Sequence, residues 1–211
     1  MSERLVAVGR KFARLATRSV VGRPWAWRLF RAPLRRYFDW LAPKWEGIRG
    51  PEGLLPLAAA LERLETPPRR VLDVGTGTGA ALRLAGERFP DAELVGVDLA
   101  PAMLAEARSV LPREVLARMR LEVADAAALP FGDGEFDLVL LQNAIPFPAE
   151  LGRVTAPGGA LAVGFSRGPE TPIWTPPETL KRLLGAEGFE RFEDVAAGEG
   201  TALLARRVRL V

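Results

Sequence analysis

The sequence predicts an α/β fold: a mostly parallel seven-stranded sheet with helices on both faces, carrying an N-terminal helical cap. Three observations predict it. From Arg70 onward, short apolar runs alternate with helical patterns. The first run, Val71-Leu72-Asp73-Val74, leads directly into Gly75-Thr76-Gly77-Thr78-Gly79, a bend in which glycine supplies the backbone freedom to turn a buried strand into a helix. Before residue 50, apolar residues instead recur at helical spacing among basic ones. The expected organisation is therefore a cap over residues 1–52 and a core over residues 53–211.

Taken in order, Leu5, Val8, Phe12 and Leu15 mark one face of a basic amphipathic helix that Gly22 and Pro24 end. Trp25 to Leu41 reads as an aromatic helical stretch interrupted by Pro33, and Leu54 to Leu64 as an apolar helix before Thr66-Pro67-Pro68. Strands are expected at Arg70–Val74, Glu93–Asp98, Arg120–Ala124, Phe136–Gln142 and Ala160–Phe165. The intervening helices run over Ala80–Phe89 and from Pro101, a residue suited to a first helical turn. Gly132-Asp133-Gly134 and Pro157-Gly158-Gly159 read as turns. Thr179–Ala186 reads as a helix, and Phe189–Val195 and Thr201–Arg207 as two closing strands. In such a sheet the ligand lies beyond the carboxyl ends of the strands.

Composition removes several kinds of chemistry. The chain has no cysteine and no histidine, so thiolate or imidazole metal sites and Ser-His or Cys-His nucleophile pairs are excluded, and no metal is expected. Twelve basic and three acidic side chains lie within the first 50 residues, so the net charge of +3 conceals a basic arm on an acidic core. Trp25, Trp27, Trp40 and Trp45 also lie in that arm. No apolar run approaches the roughly 20 residues that span a bilayer, and no signal-peptide core opens the chain. The expected location is cytoplasmic, with peripheral membrane contact as an extension of it.

The glycine spacing, Gly75-x-Gly77-x-Gly79, differs from the Gly-x-Gly-x-x-Gly of dinucleotide sites. Asp73 just ahead of it would repel a pyrophosphate but suits an ammonium. Val71 to Gly79 thus resembles the first motif of class I S-adenosylmethionine-dependent methyltransferases. Later segments are similar to that family in order: Asp98-Leu99-Ala100-Pro101-Ala102-Met103-Leu104, Asp125-Ala126, Phe136 to Asn143, and Val154 to Leu161. Tyr37-Phe38-Asp39-Trp40-Leu41-Ala42-Pro43-Lys44-Trp45-Glu46 resembles a segment of the ubiquinone and menaquinone biosynthesis-type branch, with Trp45 and Glu46 in place of tyrosine and aspartate.

The resemblance implies a Rossmann-like fold, S-adenosylmethionine as cofactor and S-adenosylhomocysteine as product. It implies cofactor binding by Asp73 and the loop residues Gly75, Thr76, Gly77 and Gly79. Ribose binding falls to Asp98, adenine packing to Leu99 and Met103, and an adenine-amino contact to Asp125 and Ala126. Gln142 and Asn143 border the sulfonium, and Tyr37, Trp45 and Asn143 the acceptor pocket. Methyl transfer from a sulfonium needs mainly alignment, so no catalytic base is assigned; Asp39 and Glu46 are candidates. Asn143-Ala144-Ile145-Pro146 departs from the Asn-Pro-Pro-Tyr of enzymes that methylate base amines, so a small-molecule acceptor is expected and nucleic acid is not.

The basic aromatic arm fits three roles: a cover over the pocket, a contact with an anionic membrane beside a lipophilic acceptor, or a grip on RNA phosphates. A non-catalytic S-adenosylmethionine-binding partner and an RNA methyltransferase stay open as alternative functions. No motif of the sequence specifies an oligomeric state or a particular acceptor.

Overall fold

The computed structural model describes residues 3–209. The side chains of residues 3–5, 49 and 51 lie outside that description, and with them the expected contribution of the Leu5 side chain to the first helix.

Glu3–Gly22 forms α1 and Trp27–Leu41 forms α2, joined by a short 3-10 turn. Trp45–Arg49 (α3) and Leu55–Leu61 (α4) complete the N-terminal part. The core then runs Arg70–Val74 (β1), Ala80–Arg88 (α5), Glu93–Asp98 (β2), Pro101–Val110 (α6), Arg113–Leu116 (α7) and Met119–Val123 (β3). It continues through Phe136–Gln142 (β4), Pro148–Val154 (α8), Thr155–Phe165 (β5), Pro177–Ala186 (α9), Phe189–Ala197 (β6) and Gly200–Arg207 (β7).

The sheet order is β3-β2-β1-β4-β5-β7-β6. β1 pairs in parallel with β2 on one side and β4 on the other, while β7 is antiparallel to both β5 and β6. The order therefore reverses between β1 and β4, which opens a crevice at their carboxyl ends. Alternation along the strands explains the helices on both faces. Leu72 and Val74 pack with Val139 and Leu141 toward α8 and α9, while Val71, Leu138 and Leu140 meet Leu57 of α4 and Leu82 of α5. All of these side chains are buried, which is why the strands read as continuous apolar runs.

Three expectations need correction. Pro157-Gly158-Gly159 does not end in a turn before β5 but lies inside it; the strand accommodates the sequence through Gly158 at φ 78° and a register shift against β4. α2 runs unbroken through Pro33, which sits on the exposed side of the helix where water can bond the carbonyl left without its N–H partner. Among the described residues, the buried face of α1 agrees with the expected one only at Phe12, which packs against Phe30. Val8 and Leu15 point outward, and Gly9, Ala13, Ala16 and Val20 are buried. Close approach decides this: a methyl group on Gly9 would overlap the Tyr37 ring, so the face of α1 that meets α2 must be built from small residues.

Candidate functional site

The crevice at the β1–β4 reversal holds a cavity of about 1050 Å³, part of it open to solvent. The loop after β1 forms its floor. Gly75, Gly77 and Gly79 adopt φ of 74°, 54° and 81°, a region that costs other residues backbone strain. Gly75 and Thr76 donate their backbone N–H groups to the Val97 carbonyl at 2.8 and 2.9 Å, which ties the loop to β2. A Cβ at Gly75 would stand 2.7 Å from the Ala144 methyl, so glycine also keeps the chain close to the end of β4. Gly79 faces Leu111 rather than the cavity and starts α5.

Two carboxylates meet at this floor. Asp73 is fully buried; its Oδ2 accepts the Thr76 hydroxyl at 2.7 Å, and its Oδ1 has no hydrogen-bond partner. Burial pushes the Asp73 carboxyl up to about 7, opposed by the Thr76 bond and reinforced by the charge of Asp98. Asp98 accepts from the backbone N–H of Gly77 at 2.9 Å and of Ala100 at 2.8 Å. It is raised to about 6, again chiefly by burial, with its backbone partners opposing and Asp39 adding to the shift. Both carboxylates border the cavity. Leu99 and Met103 form one apolar wall beyond Asp98, and Ala126 lies across from them on the loop after β3.

At the other end, Gln142 and Asn143 border the cavity from the end of β4. Gln142 donates to the Gly53 carbonyl at 3.0 Å and leaves its own Oε1 buried without a partner. Asn143, at φ 52°, exchanges two bonds with Ser166: its Nδ2 donates to the serine hydroxyl at 3.0 Å and its Oδ1 accepts the Ser166 N–H at 2.9 Å. These bonds hold the strained residue in place at the carboxyl ends of β4 and β5.

The N-terminal helices close the cavity from above. Trp27, Leu34 and Phe38 of α2 and Trp45 of α3 border it, so the structure joins the arm to the site as a cover. Asp125 is drawn into that cover. Its Oδ1 accepts the Trp27 indole N–H at 2.8 Å and the Ala127 N–H at 3.0 Å, and its Oδ2 lies 3.5 Å from Arg31. The residues on either side of it, Ala124 and Ala126, face the cavity instead. The two candidate bases are likewise committed to the cover. Asp39 accepts the Ala102 N–H at 3.0 Å at the start of α6, and Glu46 accepts the Thr78 hydroxyl. Both clasp the arm to the core, and neither borders the cavity. Tyr37 lines an adjoining chamber, which Trp45 and Asn143 share.

Sequence reading missed Trp27 and its edge-on partner Phe147, whose ring centroids lie 5.2 Å apart, as a wall of the site. The signal was present only as an excess of tryptophan in the arm; nothing local pairs residue 27 with residues 125 and 147.

Residues 71–159 match the family model described as a methyltransferase domain. The glycine loop, the acid at the end of β2 and the strands from β2 to β4 fall within that segment. That segment is a class I S-adenosylmethionine-dependent methyltransferase domain. Over 107 residues the chain is 48% identical to a demethylmenaquinone methyltransferase of Thermus thermophilus, covering 47% of this chain and 48% of that protein. Over 165 residues it is 43% identical to a malonyl-[acyl-carrier protein] O-methyltransferase of Halorhodospira halophila, covering 74% of this chain and 52% of that one. The chain thus spans about half the length of these curated relatives. A SAM-dependent methyltransferase structure from Aquifex aeolicus superposes with a TM-score of 0.63 at 19% identity, covering 77% of this chain and 96% of that one, and shows the shared fold.

S-adenosylmethionine is the cofactor of this domain class, and the residues present fit it. The unpartnered Asp73 Oδ1 suits an ammonium donor, the Asp98 carboxylate suits hydroxyls, and Gly75 and Gly77 add no side chains of their own to the floor.

Proposed function

We propose that the chain transfers a methyl group from S-adenosylmethionine to a small organic acceptor, without a metal ion. The observation that carries this reading is the convergence of two carboxylates, fully buried Asp73 and half-buried Asp98, on the floor of one crevice, where both are held above the usual carboxylate range. Asp98 would hold the ribose hydroxyls and Asp73 Oδ1 the ammonium, directly or through water. Leu99, Met103 and Ala126 would enclose the adenine. The bound cofactor supplies an electrophilic methyl on a positively charged sulfur that leaves without a proton. The chain's task is then alignment and exclusion of water, for which the cover of Phe38, Trp45 and Ile173 is suited. Absence of histidine and cysteine from the sequence supports the metal-free part of the proposal.

Purified protein incubated with methyl-labelled S-adenosylmethionine and a bacterial small-molecule and lipid extract is expected to label an organic product, with equal yield in the presence of EDTA. Tight binding of S-adenosylhomocysteine without any labelled product would instead favour a non-catalytic partner.

We also propose that the arm contacts an anionic membrane surface. Val8, Leu15, Trp25 and Leu29 are 63%, 57%, 64% and 66% exposed, and exposed Lys11, Arg18 and Arg28 lie among them. No helix among the described residues is long and apolar enough to cross a membrane. Sedimentation with phosphatidylglycerol vesicles, but not with phosphatidylcholine vesicles, is the expected result. Equal recovery with both removes the electrostatic part of this reading.

A further inference from the structure

Beside the cofactor cavity lies a second chamber of about 740 Å³, also partly open, between α1, α2, α3 and the segment that follows β5. Phe38, Trp45, Asn143 and Ile173 border both spaces and form the wall between them. Val6, Ala13, Leu41 and Ile48 give the chamber an apolar lining. Its charged lining is of one sign: Arg10 and Arg167 border it, and among the described residues no acidic side chain does.

The two guanidinium groups differ. Arg167 is exposed and lies 3.4 Å from Glu199. Arg10 borders the chamber and is half-buried, and its Nη2 donates to a neutral group, the Glu170 carbonyl, at 3.1 Å in a bond open to solvent. A guanidinium has five N–H donors, so this single bond leaves capacity for a further acceptor. The Tyr37 phenol borders the same space, so the chamber offers a hydroxyl donor as well as a cation.

We propose that this chamber is the acceptor site and that it takes an amphiphilic anion, an apolar chain or ring bearing a carboxylate-type group gripped by Arg10. The inference rests on the methyltransferase reading, because the shared wall is what brings an occupant of this chamber next to the cofactor. At the edge of an apolar lining the guanidinium holds an anion by charge-assisted hydrogen bonds, whereas a neutral amphiphile gains only apolar contact. An amine is repelled.

The test uses the full chain saturated with S-adenosylhomocysteine, so that the first cavity is filled, and N-phenyl-1-naphthylamine as a neutral fluorescent occupant of apolar space. Decanoate and decan-1-ol share an apolar chain and differ in head-group charge. Decanoate is expected to displace the dye at roughly tenfold lower concentration than decanol. Arg10→Met is expected to abolish that preference and leave decanol displacement unchanged. Equal displacement by both compounds in the wild-type protein overturns the proposal, whatever the variant does, and so does a preference that survives Arg10→Met. Calorimetry with S-adenosylhomocysteine accompanies each measurement. Failure of the wild-type protein to bind it counts against the cofactor assignment, whereas retained binding with no anion preference counts against the chamber alone.

Discussion

Asp73→Asn is expected to raise the unfolding free energy of the ligand-free protein at pH 8 by roughly 2–4 kcal/mol and, at the same time, to weaken binding of S-adenosylhomocysteine. The carboxyl titrates near 3.8 when unfolded and about 7 when folded, because burial disfavours its charge. A group raised in this way contributes its stability in full below pH 4 and loses it as pH rises through 7. The asparagine variant has no such loss. It keeps an oxygen for the Thr76 hydroxyl, so local structure is retained. Urea denaturation at pH 5 and pH 8 reads the effect directly. The advantage of the variant should shrink by roughly 2–3 kcal/mol at the lower pH. An advantage independent of pH would mean that Asp73 is not charged at the cost of stability. The wild-type residue thus holds a buried, incompletely bonded carboxylate in the ligand-free protein, an arrangement that destabilises the fold and suits a cationic ligand group.

Asp98→Ala is expected to lower affinity for S-adenosylhomocysteine by roughly a hundredfold or more, since two hydroxyl-to-carboxylate bonds of about 1.5–3 kcal/mol each are removed. Isothermal calorimetry at pH 8 measures it. Because Asp98 also accepts the Gly77 and Ala100 N–H groups, alanine additionally loosens the loop, and Asp98→Asn serves as the comparison that keeps a partner for one of them. Affinity unchanged in both variants would remove Asp98 from the site. The wild-type protein should show a related pH effect. Asp98 titrates at about 6 and Asp73 at about 7, so both ionise as pH rises through this range and affinity should climb with it. In a chain without histidine, an acid limb of activity near pH 6.5 then has its origin in these carboxylates or in the acceptor.

The core was legible where short runs of sequence decide their own structure. β1, β2 and β4 begin and end at the residues expected, because each is an apolar run buried on both faces and bounded by turn residues. The Gly75–Gly79 loop and Asp98 were legible for the same reason: positive φ and a strand-end acid are local properties. Pro157-Gly158-Gly159 misled because turn residues also serve as a bulge when a neighbouring strand accepts the extra length. Helical spacing in α1 identified the helix but, beyond Phe12, not its buried face. Periodicity favours the large side chains Val8 and Leu15, whereas close contact with Tyr37 selects Gly9 and its small neighbours.

By itself, the amino-acid sequence determined the alternating α/β sheet, the glycine loop and the acids that border the crevice. These follow from burial and backbone preference within a few residues. Only the tertiary structure decided that Asp125 bonds Trp27, that Asp39 and Glu46 fasten the arm, and that Arg10 and Tyr37 share a chamber with Asn143. Each joins residues far apart in the chain, Trp27 and Asp125 by 98 positions, and no local preference specifies which distant partner a charged or aromatic side chain meets when the helices pack.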